Sequence, residues 1–216
     1  MPFELIIFDC DGVLVDSEVI TKRNMAVYLT ELGIPHTLEE CLIRYVGLSM
    51  SSFISAIEQE WGILPKGFAT ELRRRNTESS ETDLQAIAGI AAILETLNYK
   101  KCVASSGHPV RIRQSLSITE LLDYFEPHVF SATQVENGKP APDLFLFAAN
   151  QMNATPDRCL VIEDSVAGVR AGVAAGMTVV GFTGGGHILP GHGKRLRDLG
   201  AHHIIDDMRD LPTLLN

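Results

Sequence analysis

Apolar residues recur along this chain with two periods, and the changes of period mark its parts. The first run, Leu5-Ile6-Ile7-Phe8, is cut off by Asp9, Asp11 and Gly12. Four apolar residues with β-branched members and an abrupt polar stop predict a buried strand. From residue 17 to about 83 the spacing is helical. Asp16 or Ser17 can cap a first helix carrying Met25, Leu29 and Leu32, which Gly33 and Pro35 stop. Thr37-Leu38-Glu39-Glu40 spells a capping box that opens a second helix. Phe53, Ile54, Ile57 and Trp61 mark a third, and a fourth runs from Gly67 to about Ser80 through Arg73-Arg74-Arg75. Short amphipathic helices of this kind must bury their apolar faces on one another.

From Leu84 onward helices and strands alternate. Ile87 to Leu97 reads as a helix and Lys101 to Ala104 as a strand. A helix, the strand Val129-Phe130, the helix Pro142 to Met152 and the strand Cys159 to Ile162 follow. Then come the helix Val166 to Ala175, the strand Thr178 to Phe182, a last strand His203 to Ile205 and a terminal helix. Such alternation predicts an α/β fold: a Rossmann-like, mostly parallel sheet. Residues 1–16 and 84–216 would form this core, and residues 17–83 a helical-bundle insertion after its first strand. Gly184-Gly185-Gly186 reads as a flexible loop.

Composition narrows the function. Of 216 residues, 45% are hydrophobic and 21% charged, a globular balance. A net charge of −9 disfavours nucleic acid as a partner. Cys10, Cys41, Cys102 and Cys159 form no CxxC pair, so neither a disulfide framework nor a zinc site is expected. The first apolar run ends too soon for a signal peptide, and the Val166–Phe182 window is too short for a membrane span. These features point to a cytoplasmic protein with no membrane partner.

The polar residues just past each strand carry the chemistry, because open parallel sheets bind ligands at the carboxyl ends of their strands. They are Asp9 and Asp11; Ser105 and Ser106, ahead of Gly107 and Pro109; and Glu163 and Asp164. Lys139 lies in the rigid stretch Gly138-Lys139-Pro140. Hydroxyls and free N–H groups at a helix start make an anion site. Two like charges about 4 Å apart repel by roughly 4 kcal/mol at an effective dielectric of 20. Four carboxylates against a single lysine therefore call for a divalent cation, and all-oxygen ligands select Mg²⁺. A carboxylate nucleophile, Mg²⁺, a lysine and oriented N–H donors are the parts of phosphoryl transfer.

The segments Phe8-Asp9-Cys10-Asp11-Gly12-Val13-Leu14-Val15-Asp16-Ser17-Glu18, Ala104-Ser105-Ser106, Gly138-Lys139-Pro140 and Glu163-Asp164-Ser165 resemble, in order, the four motifs of the haloacid dehalogenase superfamily. The insertion after the first strand resembles the mobile cap of its β-phosphoglucomutase- and phosphatase-like branch. The resemblance implies that Asp9 attacks phosphorus and that Asp11 is acid and then base. Asp9, the Asp11 carbonyl and Asp164 would hold Mg²⁺ with Glu163 in support, while Ser105, the Ser106 N–H and Lys139 hold the phosphoryl group. An acid at Asp11 suits an alkoxide leaving group rather than a halide. In the Gly47-Leu48-Ser49-Met50 turn, Met50 cannot replace a phosphonatase's lysine, and the mutases' arginine there is missing. Only Arg75 stands where a mutase lysine would.

The implied activity is hydrolysis of a small phosphorylated metabolite, a sugar or sugar acid such as 6-phosphogluconate. A hexose-phosphate mutase and a non-catalytic phosphoacceptor module are the alternatives. Asp16 and Ser17 read as helix caps before substrate contacts, and the arginine triplet as a solvated face. The seven histidines read as surface or loop, and Cys10 as turned into the core. Oligomeric state and the cap's resting position are left open.

Overall fold

Six strands form one sheet in the order β3-β2-β1-β4-β5-β6, and every pairing is parallel. The structure is a computed structural model and describes residues 3–46 and 48–215. The strands are β1 (Leu5–Phe8), β2 (Lys100–Ser105), β3 (Val129–Ser131), β4 (Cys159–Glu163), β5 (Thr178–Phe182) and β6 (His203–Ile205). β1, β3 and β4 are buried along their whole length, as covering both faces of a parallel sheet requires. The strand order reverses between β1 and β4, which is where such sheets place their ligands.

The chain divides into two compact units, residues 1–16 with 85–216 and residues 17–84. In the sheet unit the helices are α5 (Ile90–Thr96), α6 (Pro109–Ile118), α7 (Asp143–Gln151), α8 (Val166–Ala174) and α9 (His192–Asp198). Leu5 and Ile7 of β1 share a core with Leu144, Phe145 and Ala148 of α7 and with Val169 and Ala171 of α8. Three elements differ from the expectation. The helix expected from Ile87 begins at Ile90, behind Gly89 at a left-handed φ of 82°. The last helix is a 3₁₀ segment, Met208–Leu214, with Pro212 inside it. α9 carries only one buried side chain, Leu196, so its apolar period was invisible.

The other unit holds α1 (Ser17–Glu31), α2 (Leu38–Tyr45), α3 (Met50–Trp61) and α4 (Phe68–Asp83). Its core joins Met25 and Leu29, Cys41 and Tyr45, Phe53 and Ile57, and Phe68 and Leu72, one pair from each helix. The capping box forms: Glu40 N donates to Thr37 Oγ1 at 3.1 Å and Thr37 N to Glu40 Oε2 at 2.7 Å. Trp61, expected on the buried face of α3, is 44% exposed. Gly47, in the turn set against the phosphonatase and mutase patterns, lies outside the described residues.

Candidate active site

Register alone brings the motif residues level. Phe8 pairs with Val103 on one side and with Ile162 on the other, and Asp9 N continues the ladder to the Ile162 carbonyl at 3.0 Å. The residues one step further on, Asp9, Ala104 and Glu163, therefore stand side by side. Lys139, carried on the segment before α7, bonds to all three. Its Nζ donates to Asp9 Oδ1 at 2.7 Å, to Glu163 Oε1 at 2.7 Å and to the Ala104 carbonyl at 2.9 Å. An ammonium has three donors, and these contacts use them all. The Phe145 ring beneath it, at 4.8 Å, adds a cation–π contact.

Glu163 is fully buried and committed twice. Oε1 serves Lys139, while Oε2 accepts from Ser165 N and Ser165 Oγ, both at 2.9 Å. Ser165 Oγ in turn caps α8 by accepting from Gly168 N at 2.9 Å. Gly168 has no side chain for a steric reason: a Cβ there would lie 1.7 Å from Glu163 Oε1.

Asp9, Glu163 and Asp164 are all buried, and one carboxylate oxygen of each lies within 4.8 Å of the others. Burial pushes the Asp9 carboxyl well above its ordinary pKa; Lys139 opposes this, and Glu163, Asp164 and Asp11 add to it. Burial also works against the Lys139 charge, yet Asp9 and Glu163 outweigh it and hold that ammonium above the ordinary lysine value. Three buried carboxylates facing one ammonium carry a surplus of negative charge. An all-oxygen set with that surplus fits a hard divalent cation.

Asp11 is not part of that trio. Its two carboxylate oxygens receive Arg111 Nη1 at 2.9 Å and Nη2 at 2.5 Å, a bidentate pair. The Asp11 charge and its hydrogen bonds raise the Arg111 pKa, so the guanidinium stays charged. Arg111 was missed in the sequence, although one sign existed. It stands in the first turn of α6, where the helix dipole disfavours a cation unless an acid repays it.

Of the hydroxyls expected near phosphate, Ser105 is buried and its Oγ accepts from Gly107 N at 3.1 Å, while Ser106 is exposed. Ser131 was also missed. Fully buried at the end of β3, it donates from Oγ to the Gly107 carbonyl at 2.6 Å and ties down the same turn. Ser17 and Arg75 belong to the helical unit. Ser17 is buried at the start of α1. Arg75 is held by Glu31 at 2.7 and 3.0 Å and by Glu71 at 2.8 Å, and its guanidinium lies 4.3 Å from the Tyr28 ring centroid. Its charge is already matched inside that unit.

Two of the histidines expected at the surface or in loops do lie in loops, but buried ones. His36 is buried and its Nε2 lies 2.9 Å from Tyr45 Oη. His187 is buried too, with Nε2 2.9 Å from Asp164 Oδ2. The Gly184–Gly186 run is also more than a spacer. A Cβ at Gly184 would lie 2.2 Å from the Asp206 carbonyl, and Gly186 N donates to Asp16 Oδ1 at 3.3 Å. Cys10 is buried, as expected.

This parallel sheet, with its acidic trio and lysine at the β1/β4 reversal, defines a hydrolase class that sequence comparison identifies. The family model described as haloacid dehalogenase-like hydrolase matches residues 6–182. The chain belongs to that family. It is 35% identical over 189 residues to the 6-phosphogluconate phosphatase of Escherichia coli K12, spanning 87% of this chain and 86% of that one. A conserved haloacid dehalogenase-like protein of Agrobacterium tumefaciens C58 superposes with a TM-score of 0.92 at 40% identity, covering 98% of this chain and 97% of that one. A haloacid dehalogenase-family hydrolase of Deinococcus radiodurans R1, crystallised with bound phosphate and sodium, superposes with a TM-score of 0.87 at 32% identity, covering 99% and 95%.

Proposed function

We propose that this enzyme, a phosphoric monoester hydrolase, removes phosphate from a small sugar or sugar acid, 6-phosphogluconate among them, in a Mg²⁺-dependent reaction through an aspartyl phosphate. The observation that carries the proposal is the contact of Asp9 with Lys139 beside Glu163 and Asp164 at the strand-order reversal. The similarity to a 6-phosphogluconate phosphatase supports the substrate class.

Each residue has a task in this reading. Asp9, oriented through Oδ1 by Lys139, attacks phosphorus, and the alcohol leaves with a proton supplied by Asp11. Water then attacks the aspartyl phosphate, and Asp11 takes its proton. In the structure both carboxylate oxygens of Asp11 are engaged by Arg111. The first step needs the protonated acid, so Arg111 would release Asp11 when substrate enters. Ser105 and the Ser106 N–H would face the phosphoryl oxygens. Lys139 would join them by exchanging one of its three present acceptors for a phosphoryl oxygen. Asp9 and Asp164, with the Asp11 carbonyl and with Glu163 behind them, would hold Mg²⁺, whose contribution is to neutralise charge on the phosphoryl group.

Residues 17–84 would be the part that selects the substrate. The two places where the chain leaves and re-enters the sheet unit are joined: Asp16 N donates to the Gln85 carbonyl at 3.0 Å, and Val15 bridges Ala86. Arg75, which stands where a mutase lysine would, is taken by Glu31 and Glu71, which supports hydrolysis over mutase action.

The test is phosphate release from 6-phosphogluconate, hexitol phosphates and β-glucose 1-phosphate, with and without Mg²⁺. Asp9→Asn should lower turnover by more than about 10³-fold, as loss of a covalent nucleophile does. Turnover that survives in Asp9→Asn, or that ignores chelation, would refute the proposal. Conversion of β-glucose 1-phosphate to the 6-phosphate faster than phosphate release would favour the mutase.

A further inference from the structure

Asp164 is gripped by two histidines from one short stretch of chain. His187 Nε2 lies 2.9 Å from its carboxylate Oδ2, with both side chains buried. Its backbone carbonyl accepts from His192 Nε2 at 2.6 Å. Carboxylate and carbonyl oxygens only accept here, so each ring carries its proton on Nε2. Gly12 closes a third side. It has a φ of +80°, and a Cβ there would lie 2.1 Å from Asp164 Oδ2.

His187 is itself confined. A Cβ on Gly185 would lie 2.9 Å from its ring, and the next residue, Gly186, is tied to Asp16 at the end of the nucleophile loop. His192 opens α9, which is anchored in the core by Leu196. The two rings therefore control different things. His187 sets the rotation of the Asp164 carboxylate, and His192 sets the backbone where β4 ends.

We propose that His187, backed by His192, is a positioning residue that presents the Asp164 carboxylate to the divalent cation. This rests on the metal reading above. A lone carboxylate turns about its last bond and must be immobilised when a metal binds, whereas one already held through its second oxygen need not be. Hydrogen-bond partners behind a metal ligand are commonly worth about 10- to 100-fold in affinity.

The experiment is calorimetric titration of Mg²⁺ into substrate-free enzyme, with folding followed by circular dichroism. His187→Leu should bind Mg²⁺ about 10- to 100-fold more weakly than wild type. His187→Gln, whose amide nitrogen reaches about as far as Nε2, should recover most of the loss. His187→Asn is polar but one carbon too short and should not. Should the leucine variant fail to fold, the glutamine–asparagine comparison carries the test. Equal affinity across the variants, or a glutamine variant as weak as the asparagine one, overturns the assignment. No Mg²⁺ binding by wild type, or unchanged binding by Asp164→Asn, instead overturns the metal reading on which it stands.

Discussion

At the scale of single residues, the centre is governed by close approach as much as by charge. Glu163 can reach both Lys139 and Ser165 only because Gly168 lacks a side chain. Gly168→Ala should therefore cost about 3 kcal/mol, the upper end for overpacking. Gly176→Ala is the control: its φ is +72° with nothing within 4 Å of the added carbon, so only the left-handed backbone penalty of about 1–2 kcal/mol applies. Urea unfolding of both variants checks the difference. A Gly168→Ala cost no larger than the control's would show that Glu163 gives way freely. Asp9, Lys139, Glu163 and Asp164 were legible in the sequence because they end apolar runs or sit beside prolines. Arg111, Ser131 and His187 were not. Each acts through a partner distant in the chain, and no local spacing encodes such a partner.

At the scale of elements, the helical unit shows how an exposed charge network can stabilise without burial. Glu71 accepts from Arg74 at 2.7 and 2.9 Å and from Arg75 at 2.8 Å, which holds its carboxyl down at about 2. A carboxyl depressed in the folded state stabilises fully above its unfolded pKa of about 4.3, and that stability is lost as pH falls toward the folded value. The melting temperature of wild type should therefore drop between about pH 4 and 2. Glu71→Gln should start slightly lower at pH 7 and fall less steeply across that window, and thermal melts at several pH values would show it. The effect is small because the network is exposed. The capping box between Thr37 and Glu40 was readable from four letters because both partners lie within one turn. α9 was not readable, since a seven-residue helix with one buried side chain has no apolar period to detect.

At the scale of the whole chain, all four thiols are buried. Burial pushes Cys41 and Cys159 up to about 11 and raises Cys102 further. Cys10 is raised by burial and then by its neighbours Asp11 and Asp9. The reactive form of cysteine is the thiolate. At pH 8 the native protein should show no fast-reacting thiol toward an aromatic disulfide reagent, and all four should react after denaturation. Rapid labelling of a native thiol would show that one of these sites opens. Among the described residues, no helix is long and apolar enough to cross a membrane. The sequence by itself determined the alternation of strands and helices, the insertion after β1 and the acids and lysine of the centre. These follow from apolar period, turn residues and strand ends, all of which are local. Only the tertiary structure decided that Lys139 spends its three donors on Asp9, Glu163 and Ala104, that Arg111 takes Asp11, and that His187 and His192 hold Asp164. Such choices depend on which loop and helix side chains the fold brings to the strand ends that the parallel register aligns. Asp9 and Glu163 become neighbours across strands 154 residues apart, a distance that no period in the chain records.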